Sequence, residues 1–223
     1  MHEPPLVRGS DSARWASLCL GLFLFSSGIV LLLESKLGLA PWDVLNQGVS
    51  EQTSLSFGTA NIAIAVVVLV LAWALGARIG PGTIANAILI GLMVEGLLAI
   101  DAVGALSEST LVLRIMFLGA GILIIAVGSG FYIGAGLGAG PRDSLMLVAA
   151  RRAGVRISTS RVAIEVAVTV VGFALGGTVG IGTLAFAFGI GPVVELSFWI
   201  LGRSPLADAA PSASQLLPPE NSR

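Results

Sequence analysis

The acidic residues of this chain come in pairs at a fixed spacing. Asp43 and Asp143 lie 100 residues apart, as do Glu95 and Glu195, and each pair sits in matching local sequence. A carboxylate in apolar surroundings can cap a helix, exchange a proton with a pathway, or meet a polar solute. Beside the aspartates stand Trp42 and Arg142, which occupy one repeat position with different chemistry. Arg142 offers an anion-attracting charge at one mouth or a positive charge on the cytoplasmic side, and Trp42 an interfacial anchor. Glu165 follows Arg161 by four residues, which places them on one helix face as a structural ion pair. Asn86 has Phe186 opposite and reads as a helix–helix hydrogen bond rather than a ligand.

Other chemistry is excluded by counting. His2 is the only histidine and Cys19 the only cysteine, so no disulfide and no multi-residue His/Cys metal centre can form within the chain. Cys19, in an apolar run, reads as a small buried hydrophobe. No nucleophile–base arrangement and no P-loop appears, so the chain is read as not an enzyme, with no cofactor and no metal. The glycine-rich run at 134–140 follows an apolar helix rather than a strand, which argues against a dinucleotide loop. Net charge is −1 with no basic, aromatic cluster, which argues against nucleic acid.

The elements that must position these residues are duplicated too. Gly38-Leu39-Ala40-Pro41-Trp42-Asp43 reappears as Gly138-Ala139-Gly140-Pro141-Arg142-Asp143, and the register holds from Arg14 to Phe198. Hydrophobic residues make up 55% of the 223, charged residues 11%, and mean hydropathy is +0.95. Soluble domains carry about a quarter charged residues, so the composition is that of a polytopic membrane protein, with the lipid bilayer as its first partner. Six apolar runs approach the length of about 20 residues that spans the hydrocarbon core: about 14–34, 58–77, 82–101, 111–134, 160–178 and 182–202. After the first run of each repeat comes a short amphipathic segment, 41–52 and 141–153. A dozen residues reach only about 18 Å at about 1.5 Å each. Pro41 and Pro141 suit a first helical turn, and Asp43 and Asp143 fall where a carboxylate meets free N–H groups. Gly38, Gly138 and Gly140 let the preceding span end inside the membrane.

An odd number of spans per repeat makes the second copy enter from the opposite side, giving inverted repeats. The expected fold is therefore an all-α membrane bundle of six transmembrane helices in two inverted three-helix repeats, each with a short re-entrant helix. If the short helices crossed fully there would be eight spans and parallel repeats. Asn46, Gln47, Ser50, Glu51 and Gln52 make the first a poor span. Ten arginines fall on the N-terminal side, against Lys36 and Arg114 on the other, so both termini are expected in the cytoplasm. The boundaries follow: a polar tail at 1–13, repeats at 14–103 and 104–203, and a disordered cytoplasmic tail at 204–223.

The two motifs, with Gly-Ile-Gly-Thr at 180–183 and Ile-Gly-Pro at 190–192, resemble the YczE-like bacterial membrane proteins grouped with YyaS and YitT. The resemblance covers most of 14–202. It implies an integral plasma-membrane protein and marks Pro41, Asp43, Pro141 and Asp143 as signature positions without assigning them a role.

Two functions fit. One is a secondary transporter, permease or channel for a small solute, with Asp43, Asp143, Glu95, Glu195 and Arg142 as candidate pathway residues. The other is a non-transporting scaffold or modulator of a membrane partner. A homodimer is compatible with either.

Overall fold

The computed structural model describes residues 10–200. The cytoplasmic tail expected at 1–13 lies largely outside them, and the disordered tail expected at 204–223 lies wholly outside. Among the described residues all regular structure is helical. The α-helices are α1 (Asp11–Ser35), α2 (Pro41–Gln52), α3 (Phe57–Ala74), α4 (Pro81–Leu98), α5 (Asp101–Gly104), α6 (Leu111–Gly134), α7 (Pro141–Ala153), α8 (Ile157–Ala174) and α9 (Ile181–Ile200). Six of these, all but α2, α5 and α7, are long and apolar enough to cross a membrane. The short helices begin at the expected prolines, which sit at N1, where a missing N–H costs nothing. With 12 and 13 residues they are too short to span. The turn formed by α5 and the 3-10 segment Ala105–Glu108 between the repeats was not expected from the sequence.

The centre of the molecule is the pair α1 and α6, which run antiparallel. Arg14, at the start of α1, donates from Nε to Ala135 O (2.9 Å) and from Nη2 to Gly136 O (2.8 Å), just past the end of α6. Arg114, at the start of α6, donates to Ser35 O (2.6 Å) and Lys36 O (3.0 Å), at the end of α1. Each arginine thus supplies donors and positive charge to carbonyls that a helix C-terminus leaves open. Between these ends the backbones touch at glycines. A Cβ on Gly28 would lie 2.7 Å from Gly121 O, and one on Gly128 would lie 2.7 Å from Gly21 O. Small residues at such a crossing are what allow close packing where lipid gives no hydrophobic drive.

The remaining long helices pack within their own half, and the short helices reach across to the other. The helix α4 packs on α1, and α9 on α6. The short helix α2 lies against α8 of the second half, while α7 lies against α3 of the first. Two backbone hydrogen bonds pin the crossing segments: Gly82 N to Leu137 O (2.9 Å) and Gly182 N to Leu37 O (2.7 Å). Gly38 and Gly138 have φ of 115° and 129°, a region other residues avoid. The chain can therefore turn sharply from the end of a span into the short helix.

The halves differ in the packing of their outer helix pairs. The helices α3 and α4 pack closely, with a Cβ on Gly91 only 2.5 Å from Gly58 O. At the matching place on α9, a Cβ on Gly191 would meet nothing within 4 Å. Gly58 and Gly91 are buried, while Ser158 and Gly191 are exposed. The α8–α9 pair is splayed where α3–α4 is closed.

Candidate functional site

The N-termini of α2 and α7 end on one cavity of about 150 Å³. Its walls come from matching positions of both repeats: 40 to 43 with 140 to 143, Asn61 with Arg161, Ala65 with Glu165, and Asn86 with Phe186. The cavity therefore lies between the two repeats, with each first-repeat wall position matched in the second, while Ser129, Tyr132, Ile133, Met146 and Val194 line it without their counterparts. Its chemistry is not symmetric, because the second repeat contributes more charge.

Five contacts define its electrostatics. Asp43, 2% exposed, accepts a hydrogen bond from Asn46 Nδ2 (3.0 Å) and lies 3.6 Å from Arg142 Nη2. The Arg142 guanidinium also stands over the Trp42 ring, 5.3 Å from its centroid. Such a cation–π contact gains strength when desolvated. Asp143 accepts from the Tyr132 hydroxyl (2.9 Å), and Tyr132 is held edge-on against Phe25. Arg161 Nε donates to Glu165 Oε1 at 2.9 Å. Asp143 has no cation within 4 Å among the described residues. Trp42 Nε1 and Asn61 Nδ2 are buried without a hydrogen-bond partner. Unpaired donors in a low-dielectric wall cost about 1–3 kcal/mol each until something accepts from them.

The candidate residues divide between this site and elsewhere. Asp43, Asp143 and Arg142 meet in the cavity, together with Pro41, Pro141 and Gly140. No backbone N–H donates to either aspartate among the described residues, so neither carboxylate acts as a hydrogen-bonding cap. Both keep the first-turn position, and their hydrogen bonds go to side chains. Glu95 lies outside the cavity, on the far part of α4. Its Oε2 accepts from Ser56 Oγ (2.7 Å) and Gly58 N (3.2 Å), so it caps α3 and ties it to α4. Glu195 is exposed on α9 and also lies outside the cavity.

Other expectations need correction. Trp42 is 6% exposed beneath Arg142, because α2 lies inside the bundle rather than at an interface. Cys19 is exposed on α1 beside Leu20 and Phe23, on the face turned away from α6. The Arg161–Glu165 pair forms as spacing predicts, yet both residues also line the cavity. Tyr132 and Asn61 were missed. Tyr132 is the only tyrosine, set in an apolar span opposite Leu32, and Asn61 stands opposite Arg161. A polar residue within a span at a duplicated position was the available signal.

The comparisons with known proteins bear on this geometry. A model described as "Family of unknown function (DUF6198)" matches residues 12–198. The chain belongs to the DUF6198 family. An uncharacterized protein of Haemophilus influenzae is 37% identical over 197 residues, covering 87% of this chain and 88% of that relative. The uncharacterized membrane protein YczE of Bacillus subtilis is 32% identical over 188 residues, 82% and 85% of the two chains. The uncharacterized protein YyaS of the same organism is 28% identical over 172 residues, 74% and 82%. The resemblance read from the duplicated motifs thus holds for YczE and YyaS. No solved structure matches. With six apolar helices and a membrane protein among its relatives, this DUF6198 chain is a multi-pass integral membrane protein.

Proposed function

We propose that the protein is a secondary transporter or permease of the cell membrane, moving a small solute between two inverted repeats. One observation carries the reading: a charged cavity lies at the N-termini of the two short helices, lined largely by matching positions of both repeats. Broken helices with their N-termini at a shared central site are a recurring transporter arrangement. The antiparallel α1–α6 pair and its reciprocal arginine contacts support inversion. Among the described residues, setting aside Arg142 and Arg161, which line the cavity, Arg14, Arg78, Arg151, Arg152 and Arg156 stand on the side where α1 begins against Lys36 and Arg114 opposite, which supports cytoplasmic termini.

The unequal halves supply the mechanism. The start of α3 and the end of α4 are clamped together by Glu95, which closes the mouth opposite the termini. The start of α8 and the end of α9 are splayed, which opens the cytoplasmic mouth. Exchanging the two conformations between repeats produces the opposite state without any new fold. Spin labels at Ala63 and Leu92, and at Ala163 and Pro192, read both mouths by electron–electron distances. Two populations are expected for each pair, one lengthening as the other shortens. A single fixed distance for both pairs, with and without solutes, would contradict alternation.

Flux is tested by osmotic swelling of proteoliposomes against a panel of small solutes. Swelling that is lost in Asp43→Asn and Asp143→Asn supports the reading. No flux of any solute, with a stoichiometric partner recovered from native membranes, would favour a scaffold instead.

A further inference from the structure

Within the cavity, the unsatisfied groups are of opposite kinds and belong to different residues. On one side are donors. Arg142 is ion-paired with Asp43 at 3.6 Å and stacks on Trp42, yet it donates no hydrogen bond within 3.5 Å, so its N–H groups remain open to a ligand. Trp42 Nε1 is buried and unpartnered, as is Asn61 Nδ2; their residues are 6% and 2% exposed and both line the cavity. A planar guanidinium with two neighbouring N–H donors, at the N-terminus of α7, matches a carboxylate in shape and charge. On the other side is Asp143, whose one hydrogen bond comes from the neutral Tyr132 hydroxyl. The other two carboxylates of the wall already have arginine partners, Asp43 with Arg142 and Glu165 with Arg161. Asp143 has no cation within 4 Å among the described residues and meets the charge of Arg161 only from farther away, so it is the acceptor most open to a cation.

We infer that the cavity takes a small zwitterion, its carboxylate on Arg142, Trp42 and Asn61 and its ammonium on Asp143. This deepens the transport reading and rests on it for its role, although binding can be measured without flux. A volume of about 150 Å³ suits a solute of a few heavy atoms, such as a small amino acid. Neither an anion nor a cation alone satisfies both sets of groups. A free carboxylate leaves Asp143 uncompensated, and a free amine leaves the donors unpaired.

The test is isothermal titration calorimetry on the full-length protein in nanodiscs. The probes are alanine and 4-aminobutyrate, against propionate and butyrate, which lack the ammonium, and ethylamine and butylamine, which lack the carboxylate. At least one zwitterion should bind at least tenfold tighter than its two single-charge counterparts. Arg142→Gln should weaken that zwitterion about tenfold or more, and Asp143→Asn should erase its advantage over the matching carboxylate. Because Arg142→Gln also leaves Asp43 unpaired, Trp42→Phe supplies a milder check: it keeps the ring, removes the N–H, and should weaken binding several-fold. Equal or tighter binding of an amine or a carboxylate alone would overturn the inference. So would silence of both zwitterions. If the swelling assay is then positive for other solutes, the ligand class is wrong and transport stands; if zwitterions bind without flux, the ligand class stands and transport fails.

Discussion

Asp43 and Asp143 hold the same place in two short helices, yet they have different neighbours. Asp43 is sealed against Asn46 and Arg142, whereas Asp143 meets only the Tyr132 hydroxyl. The difference follows from substitutions at matching positions: Met146 stands where the first repeat has Asn46, Tyr132 where it has Leu32, and Arg142 where it has Trp42. Tyr132→Phe should therefore cost about 1 kcal/mol, the net worth of a part-buried hydrogen bond to a charged acceptor, read as a lower unfolding midpoint, and should impair flux. Glu95→Gln should behave differently. It weakens the cap on α3 by about 1 kcal/mol but lies outside the cavity, so solute affinity should be unchanged in calorimetry. Arg114→Ala removes two hydrogen bonds to the end of α1 and should lower thermal stability by about 2 kcal/mol or more.

At the scale of elements, the α1–α6 crossing carries the fold. Gly128→Leu would drive a side chain into the backbone of α1 and should cost about 3 kcal/mol or more. Gly119→Leu, on the same helix, meets nothing within 4 Å and should leave the unfolding midpoint nearly unchanged. Much of this level was legible in the sequence. Span number, the short helices and their starting residues follow from apolar run lengths and from Pro41 and Pro141, which act locally. The duplication of Gly82-Thr83 and Gly182-Thr183 was visible, but its reason is a contact between halves. Gly82 and Gly182 donate to Leu137 and Leu37, and each threonine hydroxyl accepts from the glycine three residues earlier. No local pattern records a partner more than fifty residues away. The fate of Glu95 was hidden for the same reason, since its role depends on where α3 begins. Trp42 misled because an amphipathic ring at a helix start suits an interface equally well.

At the scale of the molecule, the two halves are built alike and sit unalike. Positions 42, 43 and 61 and their repeats converge on one cavity, so the duplication that marked the sequence also marks the site. The proposed transport cycle rests on this difference: α3–α4 is closed and α8–α9 is separated, and exchange of the two arrangements would turn the cavity to the other side. The most direct test needs no known solute. In a Cys19→Ser background, Ser129→Cys places one thiol on the cavity wall, where Ser129 is 7% exposed. Labelling by a small membrane-impermeant thiosulfonate, applied separately to each face of oriented vesicles, reports access. The account predicts that the thiol reacts from both faces, with the cytoplasmic face faster. A thiol that reacts from one face only, at every condition tried, would contradict a transport pathway through this cavity.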